Sequence, residues 1–318
     1  MTASIPFTKL VGTGNDFVLV DTLRHRLDAL RPRWSDLALA LCDGRRGAGV
    51  DGLLLLERSR QADVRMRIFN PDGSEPSMCG NGVRCLAWYA HRSHAATSPM
   101  TIETKAGIRR AEVLGSQRVR IDMGTPRVLT RSTVGDRHPV LRFDHIDTGV
   151  PHLVCWVTKV DRVDVNRLGR RLRHDRRFQP AGTNVDFIQE TAPRRLIVDR
   201  TIGKMLRHIQ LDMRTYERGV EGETLACGTG AVAAATSAAL FSSRGTNDQP
   251  ADPLHIGRES DLDRYVVDVH VPGGRLQVQL GAKQHFDQRR LVFSHAFLDG
   301  TVRQLGRGTF PWNGRSHT

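Results

Sequence analysis

Met78-Cys79-Gly80-Asn81-Gly82-Val83-Arg84 and Ala226-Cys227-Gly228-Thr229-Gly230-Ala231 are two versions of one phrase, one in each half of the chain. Each opens an apolar run with helical spacing. A helix start exposes backbone N–H groups and the positive end of the dipole, so it favours an anion. A thiol there is shifted below its reference pKa of about 8.5. One such thiol points to a nucleophile. Two, with matched flanks, point to a pair that addresses one substrate carbon from opposite faces, removing a proton on one side and returning one on the other. That reading requires both Sγ atoms to lie close to one shared stereocentre. The glycines beside each thiol leave backbone N–H groups uncovered, so a carboxylate could be cradled by both helix starts. Taken singly, either cysteine is as readily a buried core thiol.

Around the two phrases the chain repeats a grammar. Phe7 to Asp21 reads as a strand pair broken at Gly12-Thr13-Gly14-Asn15. Trp34 to Cys42 has helical spacing, and Gly52 to Glu57 and Val64 to Phe69 read as strands. A turn at Asn70-Pro71-Asp72-Gly73-Ser74 precedes the first Cys-Gly helix, which runs to about His91. Strands follow at Met100 to Lys105, Ile108 to Leu114 and Arg118 to Met123.

After Gly124 the pattern restarts. A strand at Leu153 to Val157, a helix at Val163 to Leu172, and strands at Asn184 to Gln189 and Leu211 to Tyr216 lead to the second Cys-Gly helix, which runs to about Ser243. Strands return at Tyr265 to Val271, Leu276 to Leu280 and Arg290 to Phe297. Gly12-Thr13-Gly14-Asn15-Asp16-Phe17 is echoed by Gly182-Thr183-Asn184-Val185-Asp186-Phe187. The expected architecture is α+β: two pseudo-symmetric domains, each a mostly antiparallel strand wrap around a buried central helix. The expected boundaries are 1–125 and 126–289, with a strand from about 290–318 returning to the first domain. The polar, charged segments Pro193 to His208 and Thr246 to Asp263 read as surface excursions.

Composition narrows the function. The chain has 318 residues, 39% hydrophobic and 25% charged, and a formal net charge of +13. It shows neither a membrane span nor a secretory signal. Five cysteines are too few and too odd for a disulfide scaffold, so a reducing cytoplasm is expected to keep Cys79 and Cys227 as thiols. The basic excess is nearly all arginine and is spread along the chain without a recognition motif. A basic nucleic-acid-binding protein is therefore the rival from another class, and nucleic acid is not the expected partner. Cys79 and Cys85 lack the Cys-x2-Cys spacing of zinc sites, so no metal is expected.

Other candidates lie at turns. His152, in Gly149-Val150-Pro151-His152, could accept or donate a proton near neutral pH. Glu217 and Arg218 adjoin shortly before Cys227. They form either a surface ion pair, or a proton-handling carboxylate beside a bidentate carboxylate binder. Asn15, Asn70, Asn81 and Asn184 sit in Gly- or Pro-rich turns, where asparagine is either structural or ligand-binding. Cys42, Cys85 and Cys155 read as core residues.

These segments together resemble the diaminopimelate epimerase family. The likeness is carried by Lys9 to Phe17, Gly49-Val50-Asp51-Gly52, Asn70 through Cys85, Gly149 to His152, Gly182-Thr183-Asn184 and Tyr216 through Thr224 into Cys227-Gly228-Thr229-Gly230. It extends from about residue 5 to 300. The resemblance implies a two-domain fold with the site in the cleft between its halves. It also implies a cofactor-free two-base epimerase that interconverts LL- and meso-diaminopimelate for lysine and cell-wall synthesis, working as a homodimer.

By the same resemblance, Cys79 and Cys227 are the catalytic thiols, and His152 and Glu217 set their protonation. Gly80, Asn81, Gly228 and Thr229 cradle the reacting carboxylate, while Asn15, Asn70, Asn184, Glu217 and Arg218 hold the rest of the substrate. The chain departs from the family at Val150, where some members carry Asn. It departs again in the long arginine-rich stretch Pro193 to His208, and at Val292-Phe293-Ser294-His295, which lacks a Thr-Gly-Pro-Ala pattern. A racemase of another amino acid, such as histidine or proline, is the nearest alternative.

Overall fold

Gly80 through Ala90 are all buried. A helix with no solvent-facing side has to be enclosed by sheet, and the strand order shows how. The computed structural model describes residues 3–25, 27, 34–133, 140–199, 204–242, 263–285 and 290–312. The chain divides into two units, Met1–Asp122 with Asp299–Thr318, and Met123–Leu298.

In the first unit, β1 (Ala3–Gly12) and β2 (Asn15–Asp21) form an antiparallel hairpin. Its turn places Thr13 and Gly14 at φ 49° and 87°, a left-handed conformation that glycine adopts freely and threonine seldom does. β2 runs parallel to β3 (Gly52–Glu57), with α1 (Trp34–Cys42) in the connection. β3 pairs antiparallel with β4 (Val64–Phe69), and β4 parallel with β5 (Met100–Thr104), with α2 (Gly80–Arg92) between them. β6 (Gly107–Leu114) and β7 (Arg118–Gly124) continue antiparallel. Parallel neighbours need such crossovers, and here each crossover carries a helix.

The second unit repeats the order. β8 (Arg127–Thr133) and β9 (Val140–Asp147) are antiparallel, as are β9 and β10 (Pro151–Val157). β10 runs parallel to β11 (Asn184–Glu190), with α3 (Val165–Arg173) in the connection. β11 is antiparallel to the long β13 (Lys204–Glu217), which also pairs with β12 (Arg195–Asp199) and β14 (Gly222–Thr224). β13 then runs parallel to β15 (Asp263–Val271) across α4 (Gly228–Ser242), and β16 (Gly274–His285) closes antiparallel. The last strand, β17 (Arg290–Trp312), pairs with β1 from Ala3↔Trp312 to Gly12↔Val302.

Antiparallel, parallel, antiparallel, parallel, antiparallel: both units share this pairing sequence, with the Cys-Gly helix in the second parallel connection. The fold is α+β with two pseudo-symmetric halves. α4 is buried from Ala231 through Leu240, and its polar side chains are satisfied internally. Thr236 donates to the Val232 carbonyl at 2.7 Å, and Ser237 donates to Asp144 while accepting from Trp156 Nε1 at 2.8 Å.

The structure adds detail to the expectations. Pro193 to His208, expected as a surface excursion, carries paired strands: β12 and the start of β13 are antiparallel there, with Leu196, Ile197 and Val198 exposed. Its charges sit on an edge ribbon with open faces, which hid the strand pattern. β8 and β9 had no counterpart in the sequence reading, because charged residues interrupt their alternation. The strand read at Arg290 to Phe297 is the first part of β17, which runs on to Trp312 within the expected segment of about 290–318. The expectation for Thr246 to Asp263 lies outside the described residues, except for Asp263, which begins β15.

Candidate active site: two cysteine-capped helix starts

Both cysteines cap their helices in the same way. The Cys79 carbonyl accepts from Val83 N at 2.9 Å, and the Cys227 carbonyl accepts from Ala231 N at 2.9 Å. Each thiol also accepts a first-turn amide, Gly82 N to Cys79 Sγ and Gly230 N to Cys227 Sγ, both at 3.4 Å. The sulfur thus occupies the place of a capping oxygen.

The second glycine of each phrase is there for packing. A Cβ at Gly230 would lie 2.5 Å from Asp186 Oδ1, and one at Gly82 would lie 3.0 Å from Leu54 Cδ2. Close packing against Asp186 favours glycine at 230, while at 82 an added Cβ would require Leu54 and Ile68 to shift slightly.

In the first unit the structure brings together Cys79, Gly80, Asn81 and Asn15. Asn81 Nδ2 donates to Asn15 Oδ1, and Asn15 Nδ2 donates to Asp51 Oδ2 at 3.0 Å. Asp51 also accepts from Asp16 N at 2.9 Å. Arg84 supplies Nη2 to Asn81 Oδ1 and, at 3.0 Å, to Thr13 Oγ1. Asn70 uses its amide to close its own turn, donating to Ser74 Oγ at 3.0 Å.

In the second unit the register does the gathering. His152 pairs with Asn184 across β10 and β11, and Asp186 lies two residues on, facing Thr215 of β13. Period-two alternation puts all of them on one face. His152 Nδ1 lies 2.7 Å from Asp186 Oδ2, with both side chains wholly buried. His152 Nε2 lies 3.0 Å from Thr229 Oγ1, which lies 3.4 Å from Cys227 Sγ.

Asp186 also accepts from Thr215 Oγ1 at 2.7 Å. Asn184 donates to the Pro151 carbonyl at 3.1 Å and accepts from Arg218 N at 2.9 Å. The Arg218 guanidinium donates to the Ala181 carbonyl at 3.1 Å. Sequence reasoning missed Asp186 and Thr215. An aspartate inside the otherwise apolar strand Asn184-Val185-Asp186-Phe187-Ile188, two residues from a candidate asparagine, was the available signal.

Burial, then the negative charges of Glu217 and Asp186, hold the Cys227 thiol well above its ordinary pKa. Burial also raises the Glu217 carboxyl, against the opposing pull of His152. Cys227 is therefore a thiol at neutral pH, with an acceptor chain through Thr229 and His152 to Asp186.

Burial pushes the thiols of Cys85 and Cys155 up as well, and that of Cys42 up to about 12. The folded state thus holds thiol protons that an unfolded chain releases near the free-cysteine value of about 8.5. Stability from these groups is complete below that value and declines as pH rises past it, by about 1.4 kcal/mol per pH unit for each thiol. Thermal unfolding followed across pH 7 to 10.5 is expected to show a flat melting temperature that turns downward above about pH 9. A melting temperature constant to the alkaline end would contradict the buried-thiol assignment.

The diaminopimelate epimerase family model matches residues 7–129 and 145–289. The chain belongs to the diaminopimelate epimerase family. A diaminopimelate epimerase from Moorella thermoacetica is 37% identical, covering 96% of this chain and 99% of the relative. One from Methanothrix thermoacetophila is 34% identical over 96% and 95%. The fold is also similar to a PhzF-family phenazine biosynthesis protein from Bacillus anthracis (TM-score 0.63, 15% identity, 97% and 99% coverage). A probable proline racemase from Agrobacterium radiobacter is comparable (TM-score 0.58, 18% identity, 96% and 92% coverage). At those identities the likeness concerns the fold alone. Within the family's span lie both cysteine caps, His152, Asn184, Glu217 and Arg218.

Proposed function

We propose that this chain is an isomerase that interconverts LL- and meso-diaminopimelate by a two-thiol mechanism, without a cofactor. The observation that carries the mechanism is the pair of equivalent cysteine caps in a chain of this family. Cys79 and Cys227 act on one α-carbon from opposite faces. One, as thiolate, takes the α-proton. The C–H electron pair moves into the carboxylate, where helix-start N–H groups stabilise the developing charge. The other, as thiol, gives its proton to the opposite face. Turnover leaves the two thiols with exchanged protonation states, so they titrate as a unit.

The second unit is built to be the acid first. Asp186 is an acceptor for His152 Nδ1–H, which leaves Nε2 to accept the Thr229 hydroxyl proton and Thr229 to accept from the Cys227 thiol. When Cys227 gives its proton to the α-carbon, the Thr229 hydroxyl turns its own proton from His152 Nε2 to the new thiolate and stabilises it. Glu217 lies beside this relay, its carboxyl raised by burial.

Arg218 and Asn184 hold the distal amino-acid end, with the guanidinium on its carboxylate. Gly80, Asn81, Gly228 and Thr229 cradle the reacting carboxylate, and Asn15 and Asn70 complete the contacts. Arg218→Ala is expected to raise KM for diaminopimelate by about tenfold or more with kcat little changed. Unchanged KM and kcat would remove Arg218 from the site.

The product serves lysine and cell-wall precursor synthesis in a reducing cytoplasm, and the enzyme works as a homodimer. Among the described residues no helix is long and apolar enough to cross a membrane. Solvent deuterium uptake at the α-carbon of LL-diaminopimelate, set against a panel of single-carboxylate amino acids, tests the reading. Uptake confined to diaminopimelate supports it. Uptake into histidine or proline but not diaminopimelate would make the chain a racemase of another amino acid.

A further inference from the structure

Arg84 ends the first Cys-Gly phrase, and nothing in the proposed reaction uses it. Its side chain is 0% exposed. Nη2 serves Asn81 Oδ1 and Thr13 Oγ1, while Nε and Nη1 have no hydrogen-bond partner among the described residues. Backbone presses on it from behind: a Cβ at Gly300 would lie 2.6 Å from Nε. A cation taken out of water without a carboxylate of its own is costly, and a neutral side chain would fill the same space at lower cost.

The charges around Arg84 show which anion it serves. Asp299 is in range, but Arg120 grips it at 2.7 and 2.8 Å and Arg118 at 2.8 Å. Asp16 is paired with Lys9 at 3.2 Å, and Asp51 is occupied with Asn15 and the Asp16 amide. Asp21, at the end of β2, accepts from Tyr89 at 3.2 Å. Burial works against the Arg84 charge, and the groups that favour it are first the two sulfurs, Cys85 and Cys79, and then the already gripped Asp299. Cys85 is sealed in the core, whereas Cys79 is half-buried and already accepts a first-turn amide.

We propose that Arg84 is a positioning residue of the Cys79 half-site: it fixes the Asn81 amide and supplies the positive charge that makes Cys79 the thiolate of the resting enzyme. The inference rests on Cys79 being a catalytic thiol. It deepens that reading by making the halves unlike. Burial, then the carboxylates of Glu217 and Asp186, keep Cys227 protonated, whereas the Arg84 guanidinium acts on Cys79. The donor-only guanidinium also gives the Asn81 amide one orientation, oxygen inward and nitrogen toward Asn15.

The test uses the full chain with Arg84→Lys, which keeps the charge, and Arg84→Gln, which keeps an N–H donor without it. Iodoacetamide alkylation of Cys79, resolved by peptide mass spectrometry from pH 5 to 10, reads its thiolate fraction without substrate. In the wild type the Cys79 midpoint is expected at least one unit below the free-cysteine value of about 8.5, with Cys227 far less reactive. Arg84→Lys retains the low midpoint. Arg84→Gln raises it by about one unit or more, and the acid limb of kcat/KM moves with it. Equal midpoints in folded Lys and Gln variants would overturn the proposal. So would a wild-type midpoint at or above free cysteine, which needs no variant to fold. Loss of diaminopimelate turnover with the alkylation difference intact would instead sink the substrate assignment and leave Arg84's role standing.

Discussion

Cys79→Ala and Cys227→Ala are each expected to lower kcat for epimerisation of LL-diaminopimelate by about 10³-fold or more. The reaction needs a base on one face of the α-carbon and an acid on the other. Either substitution removes one of them and leaves no group at a helix start to replace it. The double variant should be little worse than either single one, because residues acting as a unit are not additive. Folding is not at issue for Cys79, whose thiol is half-buried; thermal unfolding of each variant controls for the cap that is lost. Near wild-type turnover in either single variant would end the two-thiol mechanism.

Asp186→Asn is expected to have the next largest effect, a fall in kcat of about 10²-fold. Asp186 is 0% exposed, receives Thr215 Oγ1, and fixes His152 Nδ1 as the protonated nitrogen. An amide at this position can present N–H to His152 and so favour the other tautomer. Nε2 then carries a proton toward Thr229, and the relay from Cys227 loses its acceptor. Substrate binding involves other groups, so KM should change less than kcat. Wild-type kcat in a folded Asp186→Asn variant would show that the His152–Thr229 chain carries no proton.

These two expectations differ in how visible they were. The cysteines announce themselves: Cys-Gly-Asn-Gly and Cys-Gly-Thr-Gly before apolar runs are local patterns, and helix capping is a local interaction. Most strands of the wraps were legible for the same reason, from short apolar runs between glycine turns. The hairpin of β12 and β13 and the strands β8 and β9 were not. Their side chains face solvent or arginine-rich neighbours, so composition there follows exposure rather than the sheet.

The sequence alone determined the family, the α+β class, the duplicated plan and the two capping thiols, because each is written in residues near one another along the chain. Only the tertiary structure decided which polar residues accompany each thiol. Asp186 reaches His152 across parallel strands separated by a helical crossover, and Arg84 is left without a carboxylate because Arg118 and Arg120 hold Asp299. Strand register and competition for charge depend on distances through space. No spacing along the chain encodes them.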